Sequence, residues 1–424
     1  MLTKEGYKIR LIDNELSKLL KVFGAVSLEG PKWCGKTWTA LNHANSAVFL
    51  NNSENNFQER RYAEMDVSLI LGREAPELID EWQDVPAIWD AVRYQCDQDS
   101  VTGKYILTGS ATPVNDSIRH SGAGRICRIN MRTMSLYELG DSSGQVSLQT
   151  LFDGKVKNST VPEKSIDEIA NYIIRGGWPA NQMNSRENAG LIPKSYLQDV
   201  LLHDISSIDG VMRDQRKMEM LIRSLARNKS SLASNTTLVR DITETEGDGL
   251  APSKNVIAEY LDVLRRLHIL DDQLPYGANV RSPERVGKSV KHHFADVSLA
   301  AAALGLTTEK LLDDLNTFGL LFEGLCIHDL MVYMEVLGGK VFHYRDNSSG
   351  LEVDAIVELS DGSYGAIEIK LGTNTDDEAA TNLLKFSEQM TTPPKFMAII
   401  NGLGGAIVRR PDRIYSLPIT CLKP

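Results

Sequence analysis

Apolar residues fall in short, nearly unbroken runs through the first third of the chain. "VFGAVSLE" from Val22, "SAVFLN" (46–51), "PELIDEWQ" (76–83), "KYILTGSA" (104–111) and "RICRINM" (125–131) carry few polar breaks. Runs of this length, apolar on both faces, read as buried strands. Between them, "TWTALNHA" and "AIWDAVRYQCDQ" place apolar residues at helical spacing. Strands alternating with helices predict a parallel α/β sheet.

The texture changes near residue 140. "SGQVSLQTLFDGKVKNSTVPEKS" reads as loop with one short strand. From Ile166 to about Ala226 the pattern is helical, broken at "RGGWPA", and a second helical group contains "TTLVRDITETEG" and "SKNVIAEYLDVLRRLHIL". In the last of these, Ser253 is a plausible N-cap, and Val256, Ile257, Tyr260, Leu261, Leu264 and Leu267 form the apolar stripe. "LDDQLPYGANVRSPERVGKSVKHHF" then reads as a wing-like hairpin, so residues 215–293 look like a winged helix with Lys254 early on its recognition helix. The tail returns to strands and helices: "KVFHYRD", "LEVDAIVEL", "SYGAIEIKL", "FMAII" and "GAIVRR". The expected division is 1–160, a P-loop sheet; 161–214, a helical lid; 215–295, winged-helix-like; and 296–424, a small α/β nuclease-like domain.

Composition narrows the classes. The chain has 424 residues, 42% hydrophobic, and a net charge of −10. That is room for several cores, and it argues against a surface coated for nucleic acid. It leaves room for a local patch at Arg281, Arg285, Lys288, Lys291, His292 and His293. Five scattered cysteines without metal-ligand spacing suit reduced thiols in a cytoplasmic protein. The first residues carry no apolar signal core, and the stretch "VSLAAAALGL" from Val297 is too short to span a bilayer. No membrane association is expected.

The chemistry begins at Gly30. "GPKWCGKT" fits G-x-x-x-x-G-K-[ST] where a strand should end and a helix start. Glycines let successive N–H groups converge on phosphate oxygens, and the helix N-terminus adds its positive end. Gly30 and Gly35 would shape the loop, Lys36 would pair with the β- and γ-phosphates, and Thr37 would bind Mg²⁺. In "LIDE", Asp80 ends an apolar strand and suits the Mg²⁺ shell, while Glu81 is placed to activate water. In "YILTGS", Ser110 ends another strand. Ligands bind at the carboxyl ends of parallel strands, so the three motifs converge. Read blandly, Asp80 and Glu81 cap the next helix and Ser110 starts a turn.

The set "GPKWCGKT", "LIDEWQ", "YILTGSA" and "SLYELG" resembles AAA-type ATPases of bacteria and archaea that carry a C-terminal domain of unknown function. The resemblance extends to "GGWPA", "YLQDVLLHDIS", "EVDAIVE" and "IEIKLG". It implies ATP as the nucleotide and an additional-strand P-loop core, with Lys36, Thr37, Asp80, Glu81 and Ser110 on its motif positions. Related ATPases place an arginine finger between the Ser110 strand and the next, which points to Arg125 or Arg119; either also reads as a surface arginine. Cys34 reads as a small filler. Asp199, His203 and Asp204 share a helical sector, and packed polar residues are a simpler reading there than a metal site.

The tail carries a second signal. Alternation puts Glu352 and Asp354 on one strand face, and Glu368 and Lys370 on one face of the next strand. A hairpin would join Asp354, Glu368 and Lys370, and Glu323 could arrive from a helix. Asp354 and Glu368 could hold Mg²⁺ between them. The order resembles the PD-(D/E)xK nuclease core; a cross-strand salt bridge at Lys370 is the plainer reading. The favoured function is ATP binding and hydrolysis coupled to a nuclease-like module, with DNA and a second copy of the chain as partners. The alternatives are a nucleotide-gated, metal-dependent nuclease and an ATP-dependent, non-catalytic interaction module.

Overall fold

A computed structural model of the chain describes residues 6–54, 56–99, 101–112, 120–208, 210–228, 234–246, 252–277, 290–346 and 348–424. The chain divides into two units. The first comprises 1–133, 202–213 and 262–269; the second comprises 134–201, 214–261 and 270–424.

The first unit is built on five strands: β1 (Ala25–Glu29), β2 (Ser46–Phe49), β3 (Glu77–Asp80), β4 (Tyr105–Gly109) and β5 (Ile126–Asn130). They pair in parallel in the order β2-β3-β4-β1-β5, so β4 is inserted between β1 and β3. β1, β3 and β4 are buried throughout, which is why their sequences read as solid apolar runs. Helices α1 (Asp13–Leu20), α2 (Lys36–His43), α3 (Gln58–Met65) and α4 (Ala87–Asp99) belong to the same unit. One core joins Ile79, Leu107, Trp82, Trp89 and Val92; another joins Ala40, Leu78 and Ile106. Registration is even across the sheet, and Asp80 lies opposite Thr108. The loops after β1, β3 and β4 therefore open at one edge.

The second unit contains a nine-stranded sheet. Its order is Ser159–Thr160, Ala406–Arg409, Tyr415–Pro418, Phe396–Asn401, Tyr364–Lys370, Glu352–Glu358, Lys340–Arg345, Leu270–Pro275 and Lys291–Phe294. The helices Leu315–Val336 and Asp376–Gln389 pack on its central strands. Among the described residues, Leu315–Val336, rather than the stretch from Val297, is the helix long and apolar enough to cross a membrane, yet it is mostly buried inside the protein. A core helix and a membrane span share that composition, and burial here accounts for it.

The helices Gln215–Arg227, Asn235–Glu246 and Lys254–Arg266 precede the expected hairpin, and Ser253 Oγ accepts the N–H of Val256 as an N-cap. The hairpin itself differs from expectation. Its two strands pair antiparallel, but Leu274 also aligns with Phe342, so the hairpin extends the large sheet. Lys291, His292 and His293 are buried and form no surface patch. Each polar side chain has an interior partner: Lys291 the carboxylates of Glu323 and Glu352, His292 that of Asp272 at 2.7 Å, His293 the amide of Gln273 at 3.1 Å. Arg281, Arg285 and Lys288 lie outside the described residues.

Candidate functional site

β1 runs into the loop Gly30–Thr37, and α2 begins at Lys36. A Cβ on Gly30 would come within 2.2 Å of the Met131 carbonyl oxygen, so the close passage of these two segments requires glycine. Gly35 caps α2 with φ 107°, again a glycine conformation. Trp33 adopts φ 64°, and its ring is half exposed. A left-handed bulky residue costs on the order of 1–2 kcal/mol, and such strain gathers at functional loops. The Lys36 ammonium is buried and donates to the carbonyls of Gly30 (2.9 Å) and Pro31 (2.8 Å).

The three expected motifs meet. Thr37 Oγ1 donates to Asp80 Oδ1 at 2.7 Å, and Thr108 Oγ1 donates to the same oxygen at 2.7 Å. Burial pushes the Asp80 carboxyl above its ordinary range, although both hydroxyls pull it down. Next to it, Glu81 takes φ 59°, a second strained position. Ser110 Oγ donates to Glu81 Oε2 at 2.8 Å, and the Gln83 amide contacts both. Thr108 and Gln83 were not expected; each lies two residues from a motif acid or serine, which is the signal that could have found them. Lys32, inside the loop, forms an ion pair of 2.6 Å with Asp204.

Arg125 lies elsewhere. It precedes Ile126, which pairs with Ala25 at the start of β1, whereas the P-loop follows the end of β1. At ~3.3 Å per residue, the five-residue strand separates them by roughly 16 Å. Arg125 instead binds Asp97 at 2.6 Å and is half exposed. It therefore takes no part in the site of its own chain. Arg119 lies outside the described residues.

In the second unit the tail residues also come together. The register Ala355–Ile367 brings Asp354 beside Glu368, and Asp354 Oδ2 accepts the N–H of Ile369 at 2.8 Å. Lys370 lies 2.6 Å from Glu368 and 3.5 Å from Asp354. Asn382 donates to the other oxygen of Glu368 at 3.1 Å. Glu323 arrives from its helix, as expected, with a companion that was not: Lys291, 3.3 Å from Glu323 and 2.7 Å from Glu352. Burial pushes Glu323 up to about 8 and Glu368 up to about 7, and Asp354 adds to both. Burial pulls the two ammonium groups down, but the surrounding carboxylates outweigh it and hold both above the usual lysine range.

Among the described residues, no group of three or more His, Cys, Asp and Glu side chains is set to hold a metal ion. Asp354 and Glu368 converge around Lys370, which takes the place expected for Mg²⁺. A metal held by Asp354 and Glu368 would have to displace Lys370, which pairs with both.

Three stretches match known domain families: residues 23–140 the AAA domain, and residues 166–310 and 318–422 two domains of unknown function (DUF8612 and DUF4143). Uncharacterized proteins of Mycobacterium bovis and Mycobacterium tuberculosis are each 24% identical over 348 residues, covering 81% of this chain and 70% of theirs. A Walker-type ATPase of Pyrococcus abyssi aligns with TM-score 0.43 and 14% identity, over 69% of this chain and 94% of its own. The AAA match falls on the parallel sheet with its inserted β4 and on the three loops that gather Lys36, Thr37, Asp80, Glu81 and Ser110, so residues 23–140 carry an α/β fold consistent with P-loop ATPases.

Proposed function

We propose that the chain binds and hydrolyses ATP at the Lys36, Asp80, Glu81 and Ser110 site, and that nucleotide state sets the conformation of a nuclease-like, DNA-associated C-terminal module. The observation that carries this reading is the 2.7 Å contact of Thr37 with Asp80, beside Glu81 held by Ser110. The loop amides cradle the phosphates, and Lys36 neutralises the β- and γ-phosphates. Thr37 and Asp80, a hydroxyl and a carboxylate in contact, fit Mg²⁺ as hard oxygen donors; the ion would supply charge neutralisation on the phosphates. Glu81 takes the proton of the attacking water, and Ser110 with Gln83 fixes its carboxylate. Arg125, at the far edge of its own sheet, would serve as a finger only for a neighbouring copy.

Lys36→Ala should abolish ATP binding, whereas Glu81→Gln should keep affinity and lower turnover by ~10² or more. Equal loss of affinity in both variants would remove this assignment.

A second reading rests on Asp354, Glu368 and Lys370 sharing one site. Plasmid nicking in Mg²⁺ or Mn²⁺ that disappears in Lys370→Ala would make the protein a nucleotide-gated nuclease. Its absence, with ATP-dependent partner binding, would make the tail an interaction module. DNA association is tested by changing Arg281, Arg285 and Lys288 to Ala and following duplex affinity across a salt series.

A further inference from the structure

The segment Tyr7–Asp13 precedes the first strand and lies outside residues 23–140, which match the AAA domain. It nevertheless reaches the phosphate loop. Arg10 is buried, and its guanidinium donates from Nη1 to the Cys34 carbonyl at 2.8 Å and from Nη2 to the Arg132 carbonyl at 2.9 Å. Cys34 is the fifth residue of "GPKWCGKT", and its carbonyl shares a peptide plane with the N–H of Gly35. That plane is rigid and trans, so the two groups point in opposite directions.

We propose that Arg10 is a positioning residue for the nucleotide site: by holding the Cys34 carbonyl outward, it keeps the Gly35 N–H turned toward the phosphates. The proposal rests on the ATP-site reading above. A second set of bonds fixes Arg10. Its own N–H donates to Asp13 Oδ2 at 2.7 Å. The same carboxylate accepts from Tyr7 Oη at 2.8 Å and lies 2.8 Å from His43 Nε2. Tyr7 Oη also meets Thr39 Oγ1 at 3.0 Å. Thr39 and His43 belong to α2, the helix the loop feeds. Loop and helix are thus fastened to one anchor, and a turn of either against the other breaks a buried bond. Burial raises the Asp13 carboxyl, but the bonds from His43, Arg10 and Tyr7 outweigh it and hold it ionised below its usual range.

The experiment measures ATP dissociation constants on the full chain. Arg10→Ala removes the charge-assisted hydrogen bonds to the Cys34 and Arg132 carbonyls and should weaken ATP binding on the order of 10- to 100-fold. At a temperature where the variant is still fully folded, a purely structural role would lower the melting temperature and leave the dissociation constant unmoved. Free guanidinium ion should restore affinity to Arg10→Ala and not to Lys36→Ala. Arg10→Lys, with a donor that cannot span both carbonyls, should fall between. Affinity equal to the unaltered chain in Arg10→Ala overturns the proposal; if that variant does not fold, the same result in Arg10→Lys does so. Failure of the unaltered chain to bind ATP overturns the ATP-site reading and this proposal together, and is told apart by that control alone.

Discussion

At the scale of the residue, Lys291 shows what local pattern conceals. "KSVKHHF" reads as exposed basic surface, yet Lys291 is buried between Glu323 and Glu352, both far along the chain. The P-loop residues were legible because their chemistry depends on neighbours in sequence; Lys291 depends on neighbours brought by folding. Removing one member of a buried ion pair costs about 3–5 kcal/mol, because the partner stays buried and uncompensated. Glu323, raised to about 8, is mostly protonated at neutral pH, so Lys291→Met should lower stability by about that amount only above pH 8 and by less at pH 7, and Lys291→Met with Glu323→Gln should recover part of it, read by denaturant unfolding as a double-mutant cycle. The same cluster fixes a pH dependence. Glu323 at about 8 and Glu368 at about 7 stand above the ordinary glutamate value near ~4.3. Between those limits the folded chain holds more protons than the unfolded one, so stability is full below the unfolded value and lost as pH rises through 7 and 8. The melting temperature of the second unit should fall between pH 5 and pH 8.5. A flat profile would mean that these carboxyls are not raised.

At the scale of the element, the strands of the first sheet were legible to within a few residues, since solid apolar runs between glycine loops have few other readings. Helix starts were less so. Ser135 with Glu138 and Ser165 with Glu168 both form reciprocal capping boxes. Ser165→Ala should cost about 1 kcal/mol in unfolding and leave ATP affinity unchanged. The hairpin Leu270–Pro275 and Lys291–Phe294 was legible as a hairpin but not as part of a larger sheet. Its docking is decided by Lys340–Arg345, a strand far along the chain. A fragment 296–424 would expose that strand's edge and lose Lys291 from Glu323. It should aggregate on size-exclusion chromatography where 270–424 stays dispersed.

At the scale of the whole molecule, the P-loop sheet and the mixed α/β character were legible, while the course of the chain was not. Composition marks where texture changes, but not that the chain leaves the first unit at 133 and returns to it at 202–213 and again at 262–269. Both returns reach the nucleotide site's loops: Asp204 binds Lys32, and Arg266 Nε donates to the Thr112 carbonyl, two residues past Ser110. A fragment ending at 140 should therefore melt well below the full chain. The same course matters during synthesis. Ribosomes add about 5–20 residues per second. The stretch from 133 to 269 is 136 residues (269 − 133), so it takes roughly 7–27 s to make. The nascent chain carries Lys36, Asp80, Glu81 and Ser110 without Asp204 for about the first half of that interval, and without Arg266 until nearly its end. The motifs that hold the nucleotide are made early, and the site they form is among the last parts of its unit to be finished.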